Sequence, residues 1–431
     1  MIEEVPVFAL ASAAGRGAVA ILRLSGAGVG TIVRDLAGSL PPARWAGLRR
    51  LRNERGETLD RALVIWFEAP ASFTGESCAE LYLHGGQAVL QAVTAELLRL
   101  GARPAGPGEF SKRAFLNGKM DLLEAEGVAD LVATETESQR RQAMRQMEGA
   151  LSEVMQDWAE RLRRVLAFQE ALIDFPDEDL PAEVEAGLVA ELAELAVEMT
   201  AHVADGVRGE RLREGLFIAV AGAPNVGKSS LVNVLAGAEV AIVSEIAGTT
   251  RDALEVRLDL GGVLATLVDT AGLRETEDVL EAEGVRRARR RVEDADLVIS
   301  VVDAACPVAE DLAGAAPVLR VVNKCDLAKG PDGYLPVSAL TGEGLGELRA
   351  ELVRRVRELV ERAGPPPLTR ERHRAALVDT LGALGAALEA QLPELRGEDL
   401  RRALGCLGKV TGAVGVEDLL DTIFGSFCIG K

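Results

Sequence analysis

The segment GAPNVGKS at 222–229 sets two glycines, a lysine and a serine at the spacing G-x-x-x-x-G-K-[ST], after the apolar run FIAVA and before the helical SLVNVLAG. Glycines at 222 and 227 let a backbone wrap a phosphate chain with its N–H groups, and the following helix N-terminus adds a favourable field. Lys228 is spaced to reach the β and γ phosphates, and the Ser229 hydroxyl to hold Mg²⁺. Further on, DTAG (269–272) supplies Asp269 at a strand end for the Mg²⁺ shell, and a glycine N–H for the γ phosphate. Between them lies AGTTRD (247–252), whose Thr250 is placed to complete the metal's coordination from a switch loop. NKCD (323–326) follows the strand-like VLRVV, and the Asp326 carboxylate can accept two hydrogen bonds from N1–H and the 2-amino group of guanine. Adenine offers no such donor pair. SAL (338–340) follows YLPV and offers a backbone donor to the guanine O6. Five elements in this order imply a GTP site.

How such a site would hydrolyse GTP is a separate question. The position after the DTAG glycine, where a glutamine often orients the attacking water, is Leu273. TEDVLEAEG (276–284) offers several carboxylates instead, and Arg251 and Arg274 flank the switches. Asn225, inside the phosphate loop, is placed to ligate a monovalent cation. A K⁺ ion there supplies the positive charge an arginine finger otherwise provides.

Three textures position these residues. Up to about Asn117 the chain is mixed: AVAILRL (18–24), ALVIWFE (62–68) and AELYLHGG (79–86) read as strands and QAVLQAVTAELLRLG (87–101) as an amphipathic helix, an α+β domain. From about Lys119 to Arg208 the pattern is helical, broken chiefly at DFPDEDLP (174–181), and the same texture returns from about Leu368 to Phe424. Between the two, FIAVAG, LATLVD, LVISVVD and VLRVVN read as short buried strands of a parallel sheet. The order predicts an α/β domain inserted into a helical one, a step that is easy when a domain's ends lie close together.

Composition narrows the class. No run approaches the roughly 18 to 20 apolar residues that a membrane span needs, and the N-terminus MIEEVPVF is acidic where a secretory signal is basic. A cytoplasmic protein is expected. Cys78, Cys306, Cys325, Cys406 and Cys428 are scattered and odd in number, which suits neither a disulfide framework nor a zinc site. The histidines, His84, His202 and His373, show no ligand spacing. A net charge of −19 argues against a protein that coats nucleic acid non-specifically, yet leaves room for a local basic patch.

GAPNVGKSSL, AIVSEIAGTTRD, DTAGLRE and the terminal FCIGK resemble the MnmE (TrmE) family of tRNA modification GTPases. The likeness continues through GRGAVAILRLSG, FTGE (73–76), ELYLHGG and PGEFSKRAFLNGKMDLLEAE (107–126). What the resemblance implies is a multidomain α+β and α/β chain. Residues 1–118 form an N-terminal α+β tetrahydrofolate-binding and dimerisation domain, and 119–211 with 366–431 a discontinuous helical-bundle domain. Residues 212–365 form an inserted Ras-like P-loop GTPase domain. It further implies a homodimer that works with a flavin-dependent partner, MnmG (GidA), on carbon 5 of the wobble uridine of certain tRNAs. The one-carbon unit comes from a tetrahydrofolate derivative, in the 5-formyl or methylene form, and GTP hydrolysis is K⁺-activated.

Carried over by motif, the GTP-binding residues are Asn225, Val226, Gly227, Lys228, Ser229, Ser230, Ser244, Glu245, Ile246, Ala247, Gly248, Thr249, Thr250, Asp269, Thr270, Ala271, Gly272, Asn323, Lys324, Asp326, Ser338, Ala339 and Leu340. Ser229 and Thr250 match the Mg²⁺ site, and Asn225, Ser244, Ile246 and Thr249 the K⁺ site. Glu281 aligns with the family's water-orienting glutamate, with Glu283 and Glu277 as weaker candidates. Arg23, Glu80, Lys119 and Lys431 match folate-site positions, where a pterin suits a carboxylate and a glutamate tail suits a cation. Without the family, Arg23 and Glu80 read equally as a strand salt bridge. Cys428 is a candidate nucleophile or acid/base group, or a small packing residue.

The rival reading is a ribosome-assembly or RNA-binding switch GTPase; a third is a dimer scaffold whose GTPase only regulates assembly. The segment 368–431 looks helical, without the GxxG loop between short strands that an appended KH module would show. As a lipid address FCIGK is poor, since Gly430 takes an aliphatic position and no polybasic stretch precedes it. VEDLLDTIFGSF reads as a docked helix, so the tail is expected to be a short held arm. Replacing K⁺ by Na⁺ is expected to lower GTP turnover sharply, and Glu281→Ala to abolish turnover while sparing GTP binding. Equal steady-state rates in the two salts would remove the K⁺ mechanism.

Overall fold

A computed structural model describes residues 5–174, 182–237, 255–269, 292–308, 316–361, 364–415 and 417–430, with backbone alone at 182–185 and 417–419. The chain opens with β1 (Val7–Leu10), β2 (Val19–Ser25), α1 (Val29–Ala37), β3 (Ala46–Arg52), β4 (Thr58–Phe67), β5 (Cys78–His84), α2 (Gln87–Arg99) and β6 (Arg103–Pro104). Helices follow: α3 (Glu109–Leu116), α4 (Leu122–Ala133), α5 (Glu137–Met147), α6 (Ala150–Asp174), α7 (Ala182–Ala204) and α8 (Gly206–Glu214). Then come β7 (Leu216–Ala221), α9 (Lys228–Gly237), β8 (Glu255–Leu260), β9 (Val263–Asp269), β10 (Leu297–Asp303), β11 (Val318–Asn323) and β12 (Leu335–Pro336). The last helices are α10 (Leu345–Val360), α11 (Glu371–Glu389), α12 (Pro393–Thr411) and α13 (Glu417–Gly425). The residues divide into two compact units, 1–129 with 146–193 and 379–431, and 130–145 with 194–378.

The first unit holds a six-stranded sheet in the order β3-β4-β5-β2-β1-β6, antiparallel but for the β1–β6 pair. Strict alternation builds it. Ala20, Leu22 and Leu24 of β2 are buried with Ala79, Leu81 and Leu83 of β5, while Arg23 and Glu80 point to the other face. Val29, Ile32, Val33 and Leu36 of α1, at helical spacing, close over the apolar face together with Val93 and Leu97 of α2. The expected strands and helix all form within a few residues of the positions read from the sequence. β3 was not legible, because AGLRRLR has no apolar run; it joins the sheet as an edge by pairing with β4. In the same unit α6 and α12 pack together, with Gln169 Nε2 donating to the Pro393 carbonyl at 3.1 Å and Glu170 facing Arg401 at 2.5 Å.

The second unit holds a six-stranded sheet in the order β12-β11-β10-β7-β9-β8, parallel but for the β8 edge. β7 and β10 are buried almost end to end, as strands covered on both faces must be. Leu348, Leu352, Val356 and Val360 recur every four residues along α10 and join that core with Leu231 and Val232 of α9. Among the described residues no helix is long and apolar enough to cross a membrane.

Gly127 of α4 is a close-approach position: a Cβ there would lie 2.5 Å from the Met147 backbone nitrogen. Gln146 Nε2 donates to the Leu123 carbonyl at 3.1 Å beside it. Gly127→Ala is expected to destabilise the protein by about 1–3 kcal/mol through overpacking, read as a lowered midpoint in chemical denaturation.

Candidate functional site

In the second unit the polar residues gather where the buried strands end. Ser300 of β10 pairs with Ala221, the last residue of β7, and Asp303 pairs with Asn323. Val220 pairs with Asp269, so the phosphate loop, Asp269, Asp303 and Asn323 share the carboxyl edge of one parallel sheet. β7 has β9 on one side and β10 on the other. The loop that follows it therefore sits at the sheet's switch point, where α/β folds bind ligands.

Within 222–229 the backbone alternates in hand: Gly222 has φ 148°, Asn225 67° and Gly227 93°. Such alternation turns successive N–H groups into an anion-binding concavity. Glycine is required at both ends, since a Cβ on Gly222 would lie 2.1 Å from the Val301 carbonyl and one on Gly227 2.3 Å from Asn323 Nδ2. Lys228 is buried, and its ammonium donates to the carbonyls of Gly222 at 2.6 Å and Ala223 at 2.9 Å. Its charge is thus held inside the cradle. The Ser229 hydroxyl donates to the Asp269 carboxylate, which is fully buried at the end of β9. A hydroxyl beside a buried carboxylate next to a phosphate cradle is an oxygen donor set suited to Mg²⁺.

Asn323 ties the loops together. Only 2% exposed, it donates from Nδ2 to the Val226 carbonyl at 2.9 Å and accepts at Oδ1 from the Ala339 N–H at 3.1 Å. Lys324, in the left-handed region at φ 63°, donates to the Asn225 carbonyl at 3.0 Å and pairs with Asp303 at 2.6 Å. The Lys324 hydrogen bond, with help from the Ala305 N–H, holds Asp303 below its ordinary value of 3.8, so this link persists at neutral pH. Asp326 is exposed. Ser338 is buried and its Oγ accepts from the Thr341 N–H at 3.1 Å, which shapes the 338–340 turn, and Leu340 is 88% exposed. Asp303 was missed in the sequence, although its place at the end of LVISVVD was a usable signal. Ser244, Glu245, Ile246, Ala247, Gly248, Thr249, Thr250, Thr270, Ala271, Gly272, Glu281 and Lys431 lie outside the described residues.

The first unit holds a second constellation. Arg23 and Glu80 are register partners on β2 and β5 and form an ion pair, with Arg23 Nε and Nη2 at 3.1 and 2.9 Å from Glu80 Oε1. The other Glu80 oxygen accepts from the Tyr82 hydroxyl at 2.9 Å. Burial, and then that hydrogen bond, pushes the Tyr82 phenol above its ordinary value. The Arg23 guanidinium lies 5.5 Å from the Phe73 ring centre and 5.9 Å from that of Phe110, inside cation–π range. Sequence reasoning missed these aromatic partners, though FTGE and PGEFSKRAF contain them. Lys119 is exposed, and its ammonium donates to the Pro70 carbonyl at 3.3 Å.

The C-terminal arm docks on the same unit. Phe424 and Phe427 are buried against one another, 5.1 Å between ring centres, and Phe115 packs on Phe424. Beyond them Ile429 makes an antiparallel bridge to Pro107, and the Gly108 N–H donates to the Cys428 carbonyl at 3.3 Å. Gly430 has φ 97°, and a Cβ there would lie 2.3 Å from the Leu10 carbonyl. Leu10 adjoins Ala9, which is the register partner of Arg23. Cys428 itself is exposed.

A family model described as the MnmE helical domain matches residues 122–428, and one described as the GTP-binding protein TrmE N-terminus matches residues 6–119. The chain is similar to the tRNA modification GTPase MnmE of Gluconacetobacter diazotrophicus, 57% identical over 435 residues that span 100% of this chain and 99% of that protein. That of Acidiphilium cryptum is 55% identical over 426 residues, spanning 99% and 98%. That of Granulibacter bethesdensis is 52% identical over 436 residues, spanning 99% of both.

Asn323→Ala leaves the Val226 carbonyl and the Ala339 N–H without their shared partner, at a cost of about 1–3 kcal/mol for the buried Val226 carbonyl. Guanine-nucleotide affinity is expected to fall at least about tenfold, by titration with a fluorescent GDP analogue, since roughly 1.4 kcal/mol is already a factor of ten.

Proposed function

Because the chain belongs to the MnmE family of tRNA modification GTPases, we propose that it hydrolyses GTP to drive carbon-5 modification of the wobble uridine of certain tRNAs. In this reading it acts as a homodimer through the N-terminal domain, 1–118, with MnmG as its flavin-dependent partner. The inserted domain, 212–365, binds GTP, and 119–211 with 366–431 form the helical domain that flanks it in sequence.

The observation that carries the reading is the convergence of the phosphate loop, Asp269, Asn323 and Asp326 at one end of a parallel sheet. The glycine-lined loop cradles the phosphates, Lys228 neutralises them, and Asp326 accepts the two guanine donors while the 338–340 loop donates to O6. Ser229 and Thr250 hold Mg²⁺, and Asn225 with Ser244, Ile246 and Thr249 hold K⁺; the two cations supply positive charge against the phosphate oxygens. Glu281 orients the attacking water. Lys324 and Asn323 keep the phosphate loop and the base loop at a fixed separation, so that nucleotide meets a preformed site.

The folate derivative supplies the one-carbon unit when bound. Glu80 and Arg23, already oriented by one another, Tyr82 and two aromatic rings, hold it, with Lys119 and Lys431 for its anionic tail. The docked arm supports this reading, because its seat on Pro107 and Leu10 brings it one residue along β1 from the partner of Arg23. Exposed Cys428 is then free to face the uridine as an acid/base group or nucleophile.

Mass spectrometry of wobble nucleosides from cells lacking this gene is expected to show loss of the carbon-5 modification, restored by the gene in trans; unaltered nucleosides would end the reading. Deleting residues 428–431 is expected to weaken 5-formyltetrahydrofolate binding by calorimetry while GTP turnover stays unchanged. Undiminished affinity would take the arm out of the folate site.

A further inference from the structure

One charged surface has no part in either site. β3 is an edge strand, and the segment 44–61 that contains it carries Arg44, Arg49, Arg50, Arg52, Arg55 and Arg61 in a chain of net charge −19. Arg50, Arg52, Arg55 and Arg61 are exposed, and none of them forms an ion pair among the described residues. The carboxylates of the same segment are turned to other groups. Glu54 lies 3.6 Å from Arg99, and Glu57 accepts from Asn53 Nδ2 at 2.7 Å. Asp60 accepts from the His84 N–H at 2.9 Å and lies 2.7 Å from its ring nitrogen.

Arg50 and Arg61 are register partners across β3 and β4. Like charges directly opposite on neighbouring strands repel, which costs stability unless an anion lies over them. The hairpin that joins the strands is fixed by its own hydrogen bonds. Asn53 Oδ1 accepts from the Arg55 N–H at 3.1 Å and the Glu57 N–H at 2.9 Å, and Gly56 turns the chain at φ 76°. At the other end of β3 stands Trp45, 71% exposed. From Trp45 to Arg52 the strand runs about 23 Å at roughly 3.3 Å per residue, long enough to follow several phosphates.

We propose that this arginine edge is where the chain holds the phosphate backbone of RNA, with Trp45 as a stacking platform for an unpaired base. The inference rests on tRNA being the substrate and assigns the surface that meets it. Planar guanidinium groups suit phosphate oxygens in pairs, and an exposed indole at the far end of the same strand suits a splayed base. In a chain of net charge −19 such a run of exposed arginines is a local attraction for an anionic backbone.

The test uses the full-length protein and an unmodified tRNA transcript, with binding followed by fluorescence anisotropy between about 50 and 200 mM salt. Arg50→Gln with Arg61→Gln, and these two combined with Arg52→Gln and Arg55→Gln, are expected to weaken binding progressively, at least about tenfold for the fourfold variant. The slope of log affinity against log salt is expected to flatten by roughly 0.7 to 0.9 for each phosphate that an arginine no longer neutralises. Trp45→Ala is expected to weaken binding severalfold and leave the slope alone. GTP turnover without RNA stays at the wild-type rate in all variants, which shows that they fold. Unchanged affinity and slope, or no tRNA binding by the wild type, would overturn the proposal. So would loss of self-association in light scattering with RNA affinity intact, which marks a protein interface. If the wild-type gene restores the wobble modification and these variants do so equally, this surface is wrong and the function stands. If the wild-type gene itself fails, the function falls with it.

Discussion

Strands buried on both faces leave a protein only one place for polar chemistry, and that is where the strands end. β7 and β10 have almost no exposed residue along their length, so charge there would go unsolvated and unpaired. Asp269, Asp303 and Asn323 therefore each stand at a last position, and parallel pairing brings all three to the same edge. The phosphate loop leaves the sheet at that edge as well. The nucleotide site depends on this convergence, because the side chains of Asn323 and Lys324 that join the loops reach only as far as neighbouring backbone. Asn323 is the clearest case: one amide satisfies both the Val226 carbonyl and the Ala339 N–H.

The antiparallel sheet of the first unit works under the opposite rule. One face is apolar and closed by α1 and α2, and the other is free to carry charge at every second position. That face is used unevenly along the sheet. At β2 and β5 it holds the Arg23–Glu80 pair, with two aromatic rings in cation–π range of Arg23, and next to it the C-terminal arm is stitched to Pro107 and packed on Leu10. Toward β3 it turns to exposed arginines, Arg50 and Arg61, and exposed apolar side chains such as Leu48 and Leu63, which face each other across the strands. A terminus is ordinarily the loosest part of a chain; here Phe424 and Phe427 bury the stem of the arm and leave Cys428 at the surface.

Arg23 and Glu80 meet only in the folded chain. From the sequence they stood equally for ligand groups and for a strand salt bridge, and they do form that bridge. The two readings are not exclusive, since a carboxylate held in place by an arginine and a phenol is oriented before any ligand arrives. By contrast β3 was invisible in the sequence, because its arginines break every hydrophobic period, and only pairing with β4 makes it a strand.

The sequence alone determined the GTP motifs, the rhythm of the buried strands and the family. Those signals are local: each is set by residue types a few positions apart, and the backbone geometry they demand is likewise short-range. The tertiary structure decided which distant residues meet. It set Asn323 between the 222–229 and 338–340 loops, Glu80 beside Arg23, Ile429 against Pro107, and Arg50 opposite Arg61. No spacing in the chain encodes those meetings, because they follow from strand register and from the burial of separate apolar faces, which only the folded chain brings together.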